Sequence, residues 1–128
     1  MEKNNNCIFC KIVKGEISNE KIYDDDNFFA IRDINPITKG HSLVISKKHF
    51  KTLLDMPSSL GNEMIEACKK VALDLIKEEK AEGFNLLMSN YESAGQIVPH
   101  VHMHILPRKK DDGIKTMVNL KKIKEITD

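Results

Sequence analysis

Residues 95 to 109, "GQIVPHVHMHILPRK", hold three of the chain's five histidines, at every second position. On a strand, successive side chains point to opposite faces, so His100, His102 and His104 share one face, about 6.5 Å apart per pair, while Val101, Met103 and Ile105 share the other. A single outward histidine reads as the polar side of a half-exposed strand; three in register beside a Gly-Gln loop and a Pro-Arg exit ask for chemistry. Two chemistries fit. The imidazoles could gather one metal ion, since H-x-H on a strand presents two ring nitrogens to a common point. Alternatively one neutral imidazole attacks a phosphorus atom and forms a phosphoramidate that water later cleaves. The second needs a phosphate cradle, and "NYESAGQ" just upstream offers Asn90, Gln96 and the backbone N–H groups around Gly95, where small residues allow close approach to an oxyanion.

The cysteines number three, an odd count that makes a poor disulfide framework. Cys68 falls within a helical pattern and reads as a small buried hydrophobe. Cys7 and Cys10 form C-x-x-C, which sets two thiolates on one side of a tight turn, a half-site for tetrahedral zinc or a redox dithiol.

The elements that must position these groups are legible from periodicity. Two short strands, about Lys21 to Asp24 and Phe28 to Asp33, flank an acidic turn; Ser42 to Ser46 is a third. Pro57 and Ser58 or Ser59 open a long amphipathic helix whose stripe is Leu60, Met64, Cys68, Val71 and Leu75, with Gly83 ending it. "FNLLMSN" is a fourth strand and Ile97 to Leu106 a fifth. Short turns and one segregated helix predict an α+β fold on an antiparallel sheet of about five strands.

Composition narrows the function classes. The 128 residues suit a single domain, with roughly 109 to 128 as a C-terminal tail carrying Arg108, Lys109, Lys110, Lys115, Lys121, Lys122 and Lys124 at or near it. Twenty basic against 19 acidic residues give a net charge of +1, which argues against a dedicated nucleic-acid binder. The N-terminus lacks the apolar run of a signal peptide, and no apolar stretch approaches the length of a membrane span, so the expectation is a cytoplasmic protein with no membrane partner.

Three blocks, "CIFCKIVKGEI", "IRDINPITKGHSLVISKKH" and "GQIVPHVHMHILPR", resemble in order and spacing those of the histidine triad (HIT) family, its bacterial and archaeal Hint-like branch. His100-Val-His102-Met-His104-Ile-Leu is similar to the triad pattern itself. The resemblance implies a HIT-like fold and a homodimer that binds a purine nucleotide, adenosine foremost. The implied chemistry is attack at the α-phosphorus, a covalent nucleotidyl-histidine and release of a nucleoside monophosphate from dinucleoside polyphosphates or nucleoside phosphoramidates. It makes His102 the nucleophile, oriented by the carbonyl of His100, with His104 and His41, Asn90 and the backbone at Gln96 and Ile97 on the phosphate. Asp33 matches the ribose partner, and Phe9, Ile12, Ile31 and Ile34 match the slot for the base. It also implies a structural zinc held by Cys7, Cys10, His49 and His100, stapling the N-terminal turn to the sheet. The rival readings are a metal-dependent hydrolase with the three histidines on one ion, and a nucleotide-binding module with little turnover.

One position departs from the pattern. Where many Hint-like enzymes carry Ser, and relatives carry Thr, this chain has Ile97, which has no proton to donate to a leaving group. Leaving groups that need a proton, such as an amine, should then depart more slowly than a polyphosphate.

Overall fold

The computed structural model describes residues 6–114, so most of the expected tail lies outside the described residues. Five strands, β1 (Lys21–Asp24), β2 (Phe28–Arg32), β3 (Ser42–Ser46), β4 (Gly83–Leu87) and β5 (His102–Arg108), form one antiparallel sheet in the order β1-β2-β3-β5-β4. A short helix, α1 (Ile8–Val13), precedes it, and the long helix α2 (Gly61–Glu79) joins β3 to β4. No helix among the described residues is long and apolar enough to cross a membrane.

The central strands are buried on both faces, which is why β2 and β3 read as nearly continuous apolar runs rather than clean alternation. On one face, Phe28, Ala30, Val44 and Ile105 pack against Ala67, Cys68, Val71, Ala72 and Leu75 of α2. Burial pushes the Cys68 thiol up to about 11, so it behaves as the small hydrophobe its spacing suggests. On the other face, Phe29, Ile31, Leu43 and Ile45 pack under Cys7, Phe9 and Ile12. Register carries the histidines onto this second face, because Ile45 lies opposite His102 and Leu43 opposite His104.

The sequence reading and the structure differ at several elements. C-x-x-C sits on α1 rather than a simple turn: Cys7 is the N-cap and its sulfur accepts from the Cys10 N–H. Six residues are too few to show helical periodicity. A 3-10 turn at Ser58–Leu60 leads into α2, whose C-cap is Lys80, in the left-handed conformation with φ 54° and its N–H on the Ile76 carbonyl; Gly83 instead starts β4, which stops at Leu87. Strand β2 stops at Arg32, and Asp33 opens the loop to β3.

Strand β5 starts at His102 rather than at residue 97. The segment before it is diverted into a turn in which the His100 N–H donates to the Val98 carbonyl, and the Val101 N–H to Phe50. Pro99, lacking an N–H, suits that diversion. At the other end Pro107 is tolerated inside β5 because it pairs only with Phe84 of β4, the β3 ladder having ended at Ile105.

Candidate functional site

Two clusters of side chains meet around the turn at His100 and the start of β5. The first is Cys7, Cys10, His49 and His100, whose ligand atoms all lie within 4.8 Å of one another. Helix α1 supplies both sulfurs, because the N-cap and third helical positions fall on the same side of its first turn. His100 Nδ1 is 3.3 Å from Cys7 Sγ and 3.5 Å from Cys10 Sγ, while Cys10 Sγ is 3.2 Å from His49 Nδ1. The two Nδ1 atoms are 3.0 Å apart.

A tetrahedral zinc with bonds of about 2.0–2.3 Å separates its ligands by roughly 3.3–3.8 Å, so these separations are close to the edge lengths of such a tetrahedron. The donor set agrees. His100 Nε2 donates its proton to the Ser46 carbonyl at 2.6 Å, which leaves Nδ1 as a lone pair facing the sulfurs and fixes the ring from outside, as an outer hydrogen bond does for a metal-bound imidazole. His100 is 0% exposed. Its burial drives its pKa down to about 4, so the ring stays neutral. Burial and the neighbouring Cys7 push the Cys10 thiol up to about 11, a group whose thiolate calls for a cation. These four residues fit a metal, and of the common ions their two soft sulfurs and two imidazoles suit zinc.

The second cluster is His41, His102 and His104. His102 Nδ1 donates to the backbone carbonyl of His100 at 2.6 Å, so the remaining nitrogen, Nε2, keeps its lone pair. Phe9 packs edge-on against His102 with ring centroids 5.1 Å apart and helps hold that orientation. His104 shares an edge contact with His102, with centroids 5.0 Å apart.

The tautomers of the other pair follow from one backbone donor. The Ile37 N–H can only donate, and it reaches His41 Nδ1 at 3.1 Å, so the His41 proton resides on Nε2. That Nε2 lies 2.9 Å from His104 Nδ1 and donates to it, leaving the His104 proton on Nε2. Asp33 Oδ2, 3.6 Å from His41 Nε2, favours this arrangement electrostatically. His102 therefore offers a lone pair and its neighbour His104 an N–H. The group Asp33, His41 and His104 also has ligand atoms close enough for an ion, but the direct bond between the two rings already occupies the nitrogens that would bind one.

Burial lowers the pKa of both His41 and His104, the latter to about 4. The unfolded chain, with histidines near 6.5, takes up protons first as pH falls, so this part of the stability is complete above about pH 6.5 and lost towards pH 4. Melting temperatures at pH 7.5 and 5.0 should show the fall, and His104→Asn should reduce it by roughly 2–5 °C, after discounting for the partly exposed ring. An unchanged fall would contradict the assignment.

The remaining expected site residues divide. Phe9, Ile12 and Ile31 belong to the buried cluster beneath the histidine face, whereas Ile34 is 86% exposed and stands apart from it. The strand ends before it, and the Asp33 carboxylate caps a turn through the Asn35 N–H at 2.8 Å. His41 has both nitrogens engaged and reaches the centre through His104 rather than directly. Asn90 Oδ1 accepts from the Leu53 N–H at 2.8 Å. Gly95, at φ 93°, makes the left-handed turn that returns the loop, and its N–H donates to Glu92. Gln96 donates its backbone N–H to the Tyr91 carbonyl and its side-chain amide to the Lys51 carbonyl at 2.6 Å, and its Oε1 accepts from the Tyr91 N–H. Most of the supposed cradle is thus spent on the loop itself. The Ile97 N–H, with no such bond among the described residues, remains for an anion.

What sequence reasoning missed is Ser46 and Ile37: Ile37 acts through its backbone N–H, and Ser46 through its carbonyl, with its hydroxyl also 3.2 Å from His100 Nε2, and neither has a spacing that marks it. The three histidines do not converge on one ion: the free nitrogen of His100 faces the two cysteines, and one nitrogen of His102 is held by a carbonyl.

A model described as the HIT domain matches residues 14–111. The chain belongs to the HIT family. Among its HIT relatives is an adenylylsulfatase of Arabidopsis thaliana, 39% identical over 118 residues, which are 92% of this chain and 60% of that protein. This chain thus spans only 60% of that relative's length. An adenosine 5'-monophosphoramidase of Candida albicans is 36% identical over 87% of this chain and 76% of its own length. The crystal structure of a HIT family member from Bacillus subtilis superposes with a TM-score of 0.83 at 36% identity, covering 96% of this chain and 95% of that one. The HIT-like fold expected from the sequence is therefore the fold of this chain.

Proposed function

We propose that this HIT protein hydrolyses nucleotides at the α-phosphorus, with His102 as nucleophile. The observation that carries the reading is the 2.6 Å bond from His102 Nδ1 to the His100 carbonyl, which leaves an unprotonated Nε2 on a ring packed against that of His104. The relatives named for adenylylsulfate and adenosine phosphoramidate cleavage support the substrate class. In the first step the His102 Nε2 lone pair bonds to phosphorus as the bond to the leaving group breaks, and the leaving group departs with that electron pair. Water then attacks, the P–N bond breaks, and a nucleoside monophosphate and neutral His102 result. His104 donates to a phosphoryl oxygen as charge accumulates there, and His41 holds His104 in the donating tautomer. The nucleotide's base is assigned to the slot of Phe9, Ile12 and Ile31, its ribose to Asp33, and its phosphate also to the Ile97 N–H. Zinc on Cys7, Cys10, His49 and His100 supplies no step; it ties α1 to the turn that carries the orienting carbonyl.

Trapping tests this. A nucleotide labelled at the α-phosphate should leave label covalently attached to wild-type protein after a denaturing quench and not to His102→Gly, and a wild type that binds nucleotide without ever taking up label would make it a binding module. We also propose a homodimer, supported by the outer edge of β4, which exposes Phe84 and Leu86 beside Ile65. A cytoplasmic location stays part of the same proposal.

The departure at Ile97 has a measurable consequence. Its side chain is 92% exposed, so Ile97→Ser should leave the melting temperature within about a degree. The new hydroxyl should raise kcat/KM for an adenosine phosphoramidate by roughly tenfold or more, because general-acid help matters most for an amine leaving group. Wild type cleaving the phosphoramidate much faster than diadenosine tetraphosphate would show this reading of Ile97 to be wrong.

A further inference from the structure

A cleft of about 510 Å³ opens on the outer side of the 91–99 loop, bounded by Lys51, Tyr91, Glu92 and Ile97. Its central residue is in an unusual conformation. Tyr91 has φ 71° and ψ 158°, a region open to glycine and strained for any side chain. The strain is held from both sides by Gln96, whose Oε1 accepts from the Tyr91 N–H at 2.8 Å and whose amide donates to the Lys51 carbonyl at 2.6 Å. The outcome is a phenol ring 45% exposed at the cleft wall, with Lys51 Nζ 5.6 Å from the ring centroid. Ile97 adds an apolar edge, and Glu92 a carboxylate at the rim.

An aromatic face, a cation and an apolar edge together match one kind of ligand better than a bare phosphate, which Glu92 would repel. They match a planar heteroaromatic ring joined to an anionic chain, the ring stacked on Tyr91 with its amino group towards Glu92, and the anion near Lys51. This cleft begins at Ile97, whose N–H is assigned above to the reacting phosphate, on the strip whose Val98 packs into the Phe9 cluster. We propose that the Lys51–Tyr91–Ile97 cleft is a leaving-group subsite that receives the second nucleotide of a dinucleoside polyphosphate. This rests on the hydrolase reading above and names the part of the substrate that is expelled.

The experiment compares two substrates sharing the same adenylyl half: diadenosine tetraphosphate, which fills the cleft, and adenosine phosphoramidate, whose amine cannot. Tyr91→Gly relieves the backbone strain, so the variant should fold at least as well as wild type. It should lose about tenfold in kcat/KM for diadenosine tetraphosphate while staying within twofold for the phosphoramidate. Tyr91→Phe, which keeps the ring, should retain the wild-type ratio, and Lys51→Ala should lower the ratio by several-fold. Equal loss on both substrates in Tyr91→Gly, no loss on either, or a Tyr91→Phe variant as impaired as Tyr91→Gly would overturn the subsite and leave the hydrolase reading standing. A wild type that releases no nucleoside monophosphate from either substrate would overturn both.

Discussion

Replacing His102 by glycine should cost at least about 10³-fold in kcat, with little change in KM and no change in metal content. The size follows from what is removed. His104, His41 and the Ile97 N–H can steady a phosphoryl group in the variant, but no other described nitrogen in the cluster is both unprotonated and unengaged. His41 has each nitrogen in a bond, and His104 presents a proton. Direct attack by water would be left as the only route. The metal should stay because His102 contributes nothing to the Cys7, Cys10, His49 and His100 set. Metal content measured beside steady-state rates decides the matter: a His102→Gly protein that lost its metal together with its activity would favour the rival in which the histidines share an ion.

The second large effect is on stability. Cys7→Ser, or exhaustive chelation, should remove the metal and lower the melting temperature by roughly 10–20 °C, since an ion present at a thousand times its dissociation constant contributes about 4 kcal/mol. The loss concentrates at the N-terminal helix. Six residues do not hold a helix by themselves, and α1 is joined to the rest by the metal set and by Phe9 and Ile12 in the cluster below. Thiol titration gives an independent readout, as chelation should expose Cys7 and Cys10 to a maleimide while Cys68, buried under α2, stays unreactive. A chelated protein with an unchanged melting curve would show that the four residues pack without a metal.

The helix was readable because periodicity survives where one stripe is apolar, as in the Cys68, Val71, Leu75 stripe of α2, while β2 and β3 were readable as short apolar runs bounded by turn residues. The clusters were less so. The C-x-x-C spacing announces two ligands, but nothing local joins His49 and His100, 39 and 90 residues beyond Cys10, to them; only the folded register does. The family resemblance supplied that grouping in advance. The start of β5 escaped because a tertiary partner sets it, the Phe50 carbonyl drawing Val101 out of the ladder, and the end of α2 escaped because Lys80 accepts a left-handed conformation that sequence reserves for glycine. Tyr91 escaped for the same reason, its backbone geometry being imposed by Gln96 rather than by its own type.

His100 takes part in both clusters through different atoms. Its ring faces the sulfurs, and its main-chain oxygen fixes the proton of His102. The first duty depends on which amino acid stands there; the second depends only on where the chain runs, since every residue has a carbonyl. The metal set and the nucleophile can therefore diverge over time. A descendant that loses the imidazole at this position forfeits the ion but keeps the means of aiming its neighbour, provided the turn after Val98 is held by other packing.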